Sequence, residues 1–305
     1  MYEKIMVPLD GSELAEVALP YAAELAIQLG SEITLIYVSE LGKDPQEEID
    51  QSYLQKIVES IKERAASYSG QPATTQAIKV KSVLLSGHPA EKIVEYADNE
   101  NISFIIMSTH GRSGIQRWAL GSVADKVMRA STKPVVLIRS KDSRSDIRAE
   151  GLLRKVVVPL DGSKEAEAVI PYIEELASKL KLGVILVQVL DRGYNTLEGY
   201  FPLSDQQMES DKTIATTYLN NMGARLKEKG ITVSTEEKLN IDIIYGNPAE
   251  EIIKLANEKQ VDFIAMTTHG RSGVGRQVFG SVAERILREG NTPLMLVKAP
   301  GAKVV

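Results

Sequence analysis

The sequence predicts two tandem α/β domains, each an open, doubly wound sheet of five parallel strands in the order 3-2-1-4-5. Three observations predict this fold. The chain repeats itself once, at a period the length of a domain. Each copy alternates short apolar runs with amphipathic helical stretches. The short runs are apolar almost throughout, as strands of a parallel sheet covered on both faces must be.

The repeat sets the domain plan. KIMVPLDGS at 4–12 returns as KVVVPLDGS at 155–163, an offset of 151 residues. GHPAEKI at 87–93 returns as GNPAEEI at 246–252, and THGRSG at 109–114 returns at 268–273, both at an offset of 159. The second copy therefore gains eight residues, expected at 191–207, where it is rich in aromatic residues and glycine. Between the copies, RSKDSRSDIRAEGLLR at 139–154 alternates charge without a core-facing stripe. The expected division is a first domain over 1–140, a linker over 141–153 and a second domain over 154–305.

Within copy one, 5–9 reads as a buried strand. Leu14, Val17, Ala18, Tyr21, Ala22, Leu25 and Leu29 then draw one helical face, with Ser12 as its N-cap. Pro20, matched by Pro171, sits inside that pattern and predicts a kink. Strands follow at 33–38, 80–85, 104–107 and 135–138, and helices at 46–68, 90–100 and 122–129. Each copy is thus expected to hold five strands and four helices. In such a sheet a ligand binds beyond the carboxyl ends of the strands, where the winding reverses between strands one and four.

Bulk properties limit the function classes. The 305 residues are 43% hydrophobic and 25% charged, with a net charge of −5 and no cysteine. Disulfides, thiolate metal sites and a thiol nucleophile are excluded. An acidic balance argues against wrapping nucleic acid, which needs a basic face. No apolar run reaches the roughly 18 residues of a membrane span, so no membrane partner is expected. The opening MYEKIMVPLDGS is too short and acidic for a secretory signal, and a cytoplasmic location is the expectation.

Two motifs per copy meet at the reversal point. Strand one runs into Pro8-Leu9-Asp10-Gly11-Ser12 and strand four into Met107-Ser108-Thr109-His110-Gly111. After nine further residues, Gly121-Ser122-Val123 opens a helix. Copy two repeats this with Gly270 and Gly280-Ser281-Val282. A helix N-terminus with glycines and a hydroxyl suits phosphate, because free N–H groups and the helix dipole point at the anion. From Thr109 to Arg129, 12 of 21 positions are identical between the copies. Other readings stay open: Asp-Gly-Ser is also a good turn and cap, and Gly-Ser before a helix is also a plain cap. His110 and His269 have no carboxylate at fixed spacing and no G-x-S-x-G partner, so loop structure or ligand contact outweighs catalysis. Arg112 and Arg271 could pair with phosphate or face water.

The VPLDGS start, the Gly-x9-Gly-Ser-Val loop and the closing PVVLI at 134–138 resemble the ATP-binding branch of the universal stress proteins, over nearly the whole chain and twice. That family has an adenine-nucleotide α-hydrolase-like fold. The resemblance implies that Asp10 and the backbone at Val38 hold the adenine-ribose part, while Gly111, Gly121 and Ser122 hold ribose and phosphates; it also implicates Pro8, Met107 and Val123. In copy two it implicates Pro159, Asp161, Val189, Met266, Gly270, Gly280, Ser281 and Val282. The family pattern Gly-x2-Gly-x9-Gly-Ser/Thr has Ser108 and Thr267 in place of its first glycine. A glycine-like backbone there would strain Thr267 more than Ser108, so copy one is expected to bind more tightly. A bulky residue at Gly121 is expected to block phosphate and leave the fold intact.

The function so implied is an adenine-nucleotide-binding, stress-response regulatory protein, with ATP as ligand and magnesium as an optional companion. Its partners would be the nucleotide and, by pairing of the two domains, the chain itself, with a homodimer left open. Two alternatives remain: a dimerisation or interaction module of the same fold with an empty site, and a weak ATP hydrolase. There is no Walker A or GxGxxG run, and strand one ends in PLDGS where enzymes of this fold carry SGGxDS-like or HxGH-like signatures.

Overall fold

The computed structural model describes residues 2–39, 47–67, 78–111, 120–139, 153–196, 199–231, 240–269 and 280–299. The chain divides into two compact units, Met1–Leu152 and Leu153–Lys303.

In the first unit the elements are β1 (Lys4–Leu9), α1 (Glu13–Glu16), α2 (Leu19–Leu29), β2 (Glu32–Ser39), α3 (Glu47–Ser67), β3 (Val80–Ser86), α4 (Pro89–Asn99), β4 (Phe104–Ser108), α5 (Ser122–Ala130) and β5 (Val135–Ile138). The strands pair in parallel in the order β3-β2-β1-β4-β5, as predicted. The winding reverses between β1 and β4, which leaves their carboxyl ends side by side. Ile5, Met6 and Val7 of β1 and Ile105 and Ile106 of β4 are fully buried on both faces, which is why these runs carry no polar alternation.

The first helix differs from expectation: it is two helices. Pro20 lacks an N–H and its ring crowds the carbonyl four residues back, so a continuous helix fails there. Ala18 N–H bonds back to Ala15 O at 3.4 Å, a tight closing turn, and α2 restarts with Pro20 in its first turn. Pro171 does the same in the second unit, where Ala168 N–H bonds Glu165 O at 3.3 Å. Both short helices nevertheless pack on the sheet, α1 against β1 and β4 and α2 against β1 and β2.

The second unit holds β6 (Lys155–Pro159), α6 (Lys164–Glu167), α7 (Ile170–Leu180), β7 (Gly183–Leu190), β8 (Gly193–Thr196), β9 (Gly199–Pro202), α8 (Asp205–Glu228), β10 (Asn240–Tyr245), α9 (Pro248–Glu258), β11 (Phe263–Thr267), α10 (Ser281–Glu289) and β12 (Leu294–Val297). Its parallel order, β10-β7-β6-β11-β12, repeats that of the first unit. The stretch 191–207 contains the antiparallel hairpin β8–β9, with Gly193 opposite Pro202, which periodicity did not signal. The gain of eight residues is also the net of two changes. Tyr53-Leu54 and Tyr218-Leu219 occupy the same place on α3 and α8 at an offset of 165; against offsets of 151 before and 159 after, fourteen residues enter ahead of α8 and six are lost behind it.

Candidate functional site

The turn after β1 is built by its own carboxylate. Asp10 Oδ1 accepts from Ser12 N at 3.0 Å and Ser12 Oγ at 2.6 Å, with Gly11 at φ 80° supplying the left-handed residue between them. Ser12 Oγ in turn accepts from Ala15 N at 3.3 Å and caps α1. Copy two is the same: Asp161 Oδ1 accepts from Ser163 N and Oγ at 2.9 and 2.5 Å, with Gly162 at φ 83°. The turn and cap reading is thus realised, and it uses one carboxylate oxygen.

The other oxygen faces the second motif. A side-chain carbon at Gly111 would collide with Asp10 Oδ2 and lie 3.1 Å from Asp10 Cγ. The two motifs therefore touch at the end of β1 and β4, and glycine at 111 is what lets them. Gly270, its counterpart, lies outside the described residues, as do Arg112, Arg271 and Trp118.

The far end of the loop is tied to the same place. Gly121 N–H donates to Thr109 O at 2.8 Å, and Gly280 N–H donates to Thr268 O at 2.7 Å. Helices α5 and α10 consequently start directly beyond β4 and β11, each with a glycine at its N-cap and so no side-chain cap from that residue. Ser122 and Ser281 are exposed there, with Val123 and Val282 half-buried behind them. Two expectations are corrected. The N–H of Gly121 is taken up by Thr109 O and is not itself a donor for an anion. A side chain at Gly121 would also press its Cβ to 2.9 Å from Thr109 O, so a bulky substitution there strains the fold as well as the site.

Ser108 and Thr267 are buried, and their hydroxyls turn inward, donating to His110 O at 2.7 Å and His269 O at 2.6 Å. Among the described non-glycine residues only Asn101, Lys181 and Gln260 have positive φ. Thr267 therefore meets no glycine-only backbone, and the ground for ranking copy one above copy two falls away. His110 and His269 each place Nδ1 3.0 Å from the preceding threonine hydroxyl. Pro8 is the penultimate residue of β1 and Pro159 the last of β6, and the buried Met107 and Met266 are the penultimate residues of β4 and β11. Val38 and Val189 lie near the carboxyl ends of β2 and β7, half-buried at the same rim.

With that geometry in view, the comparison with known proteins is decisive at the level of family. A family model described as the universal stress protein family matches residues 1–139 and 153–298. The chain belongs to the universal stress protein family. It is 30% identical over 160 residues to universal stress protein MJ0577 of Methanocaldococcus jannaschii, a match spanning 47% of this chain and 98% of that one. A solved universal stress protein from Archaeoglobus fulgidus shares its fold at a TM-score of 0.66 and 22% identity, covering 98% of this chain and 97% of that one. A universal stress protein solved in complex with cAMP aligns over 46% of this chain and 98% of its own, at 21% identity and a TM-score of 0.37.

One pair of residues near each Asp turn escaped the sequence reading. Tyr53 of α3 donates its hydroxyl to Glu16 Oε1 at 2.9 Å, and Tyr218 of α8 to Glu167 Oε1 at 3.2 Å. Burial, the bonded glutamate and the charge of Asp10 push the titration of Tyr53 up. Burial and Glu167, then Asp161, do the same to Tyr218, partly offset by Arg225. The signal was present as a Tyr-Leu pair in each long helix, at an offset the repeat motifs do not share. Among the described residues no cluster of three or more His, Asp or Glu could hold a metal ion, and no described helix is long and apolar enough to cross a membrane.

Proposed function

We propose that each unit binds an adenine nucleotide, with ATP as the ligand, and that the protein works as a nucleotide-responsive regulator in a stress response. The observation that carries this reading is the tie from Gly121 N–H to Thr109 O, at 2.8 Å and repeated at 2.7 Å in copy two. It brings a glycine-started helix N-terminus to the strand end that faces Asp10. First-turn N–H groups and the exposed hydroxyl of Ser122 or Ser281 then favour phosphate oxygens. The Asp10 or Asp161 carboxylate accepts from ribose hydroxyls, with strong charge-assisted bonds. The rim at Val38 or Val189 takes the base. Repulsion between the carboxylate and the phosphates is limited because the ribose holds them apart. The residues fit the nucleotide on two counts: a glycine at 111 that lets the Asp10 carboxylate lie against the end of β4, and a helix N-terminus whose first-turn N–H groups have no partner within the helix itself.

Mass spectrometry of small molecules released from the purified chain, with calorimetry of the stripped protein against ATP, AMP and cAMP, tests this. Expected are an adenine nucleotide in the released fraction and saturable binding. A folded chain that releases none and binds none of the three would sink the proposal.

A further inference from the structure

The segment that carries Asp10 has little to hold it by itself. Helix α1 has four residues and is severed from α2 at Pro20; a helix so short is not stable alone, because nucleation costs more than its few hydrogen bonds return. It is fixed by the Ser12 cap at one end and, at the other, by the Tyr53 hydroxyl on Glu16. The second unit repeats this, with Tyr218 on Glu167 at the end of α6. Around the pair, the copies differ. Tyr37, whose ring meets that of Tyr53 at 6.3 Å and 64°, becomes Gln188. The bond from Ser39 Oγ to Asp50 Oδ2, 3.0 Å, is replaced by Leu190 and Ala215 at the matching positions. What both units keep is the hydroxyl-to-carboxylate bond itself.

We propose that Tyr53 and Tyr218 are positioning residues of the two sites: through Glu16 and Glu167 their hydroxyls hold α1 and α6, and with them the Asp10 and Asp161 turns, in the orientation that receives the ribose. The inference rests on the nucleotide reading for its ligand, while the mechanical link from tyrosine to aspartate stands apart from it. The tyrosine acts as a neutral donor, and burial, then Glu16 and Asp10, push its titration up and keep it so. A phenylalanine would retain the ring and release only the tether.

The test uses the full chain carrying Asp161→Ala, so that only the first site is read. Tyr53→Phe should raise hydrogen exchange at the Ala15 amide in the ligand-free protein by about threefold or more. ATP Kd should rise about three- to tenfold, the range for one lost hydrogen bond, while amides in the core of β1 keep their protection. Glu16→Ala should weaken ATP similarly. Glu16→Gln, which still offers an oxygen to the tyrosine, should recover most of that loss; mere packing would not be rescued this way. Unchanged exchange at Ala15 overturns the proposal, whatever happens to Kd, and so does a uniform loss of protection across β1. Faster exchange with an unchanged Kd in a chain that binds ATP overturns the link to the ligand. If the unsubstituted chain binds no ATP, the nucleotide reading fails separately, and exchange at Ala15 alone decides the tether.

Discussion

Gly111 earns its place by what lies opposite it. The Asp10 carboxylate occupies the space a side chain would take, with Cγ 3.1 Å from the Cβ position. Gly111→Ala should therefore push Asp10 aside and weaken ATP by tenfold or more, with a melting temperature within a few degrees of the parent; an unchanged Kd would show that Asp10 is not in the site. Tyr53 yields a second prediction, in pH. Its titration is raised in the folded state, so the stability it contributes is full below the unfolded value of about 10 and is lost as pH rises above that toward the folded value. Denaturant midpoints followed from pH 8 to 11.5 should fall for the parent above about pH 10. For Tyr53→Phe the fall should be shallower, by the titration of one group. Parallel curves for the two proteins would contradict a part-buried, carboxylate-bonded hydroxyl.

At the level of elements, the joint between loop and helix is where the copies can be compared directly. A Cβ at Gly121 would meet Thr109 O at 2.9 Å, whereas at Gly280 it would meet Thr268 O at 3.3 Å. Both glycines have ordinary negative φ, so the cost of a substitution is crowding and not backbone strain. Gly121→Val should destabilise its unit by about 1–3 kcal/mol, the usual range for overpacking, and Gly280→Val by less. Chemical denaturation of the two variants checks this, and equal losses would mean that the loop yields in both. The hairpin β8–β9 is the other instructive element. Its run GYNTLEGYFP has turn residues too close together for either period to register, and an isolated two-stranded hairpin of this size gains little from its own contacts.

For the whole molecule, the repeated geometry argues for two sites of similar strength. Both Asp turns, both Gly-to-Thr ties and both Tyr–Glu pairs are present. The strain once expected at Thr267 has no backbone to act on. Calorimetry should give about two ATP per chain, with Asp10→Ala and Asp161→Ala each removing one equivalent. A chain that binds a single ATP, lost with only one of the two substitutions, would show the copies to be functionally unequal.

The sequence alone determined the fold class, the strand order and the meeting of the two motifs at the ends of β1 and β4. Those follow from local rules: apolar runs of strand length, helical faces between them, and a topology with one reversal point. Its self-similarity also predicted that there are two domains, because a repeat is visible wherever residues and spacing are both kept. Tertiary structure decided what depends on the direction of a bond. Pro20 is legible as a breaker, yet only the packed chain ends one helix and starts another. Gly121 looks like an open donor until its N–H is seen to close the loop on Thr109. Ser108 and Thr267 look like misfits for glycine until their hydroxyls are found bonded to the next turn. Tyr53 meets Glu16 across 37 residues of chain, and Tyr218 meets Glu167 across 51. A contact whose span differs between copies leaves no common period in the sequence, so three-dimensional packing alone reveals it.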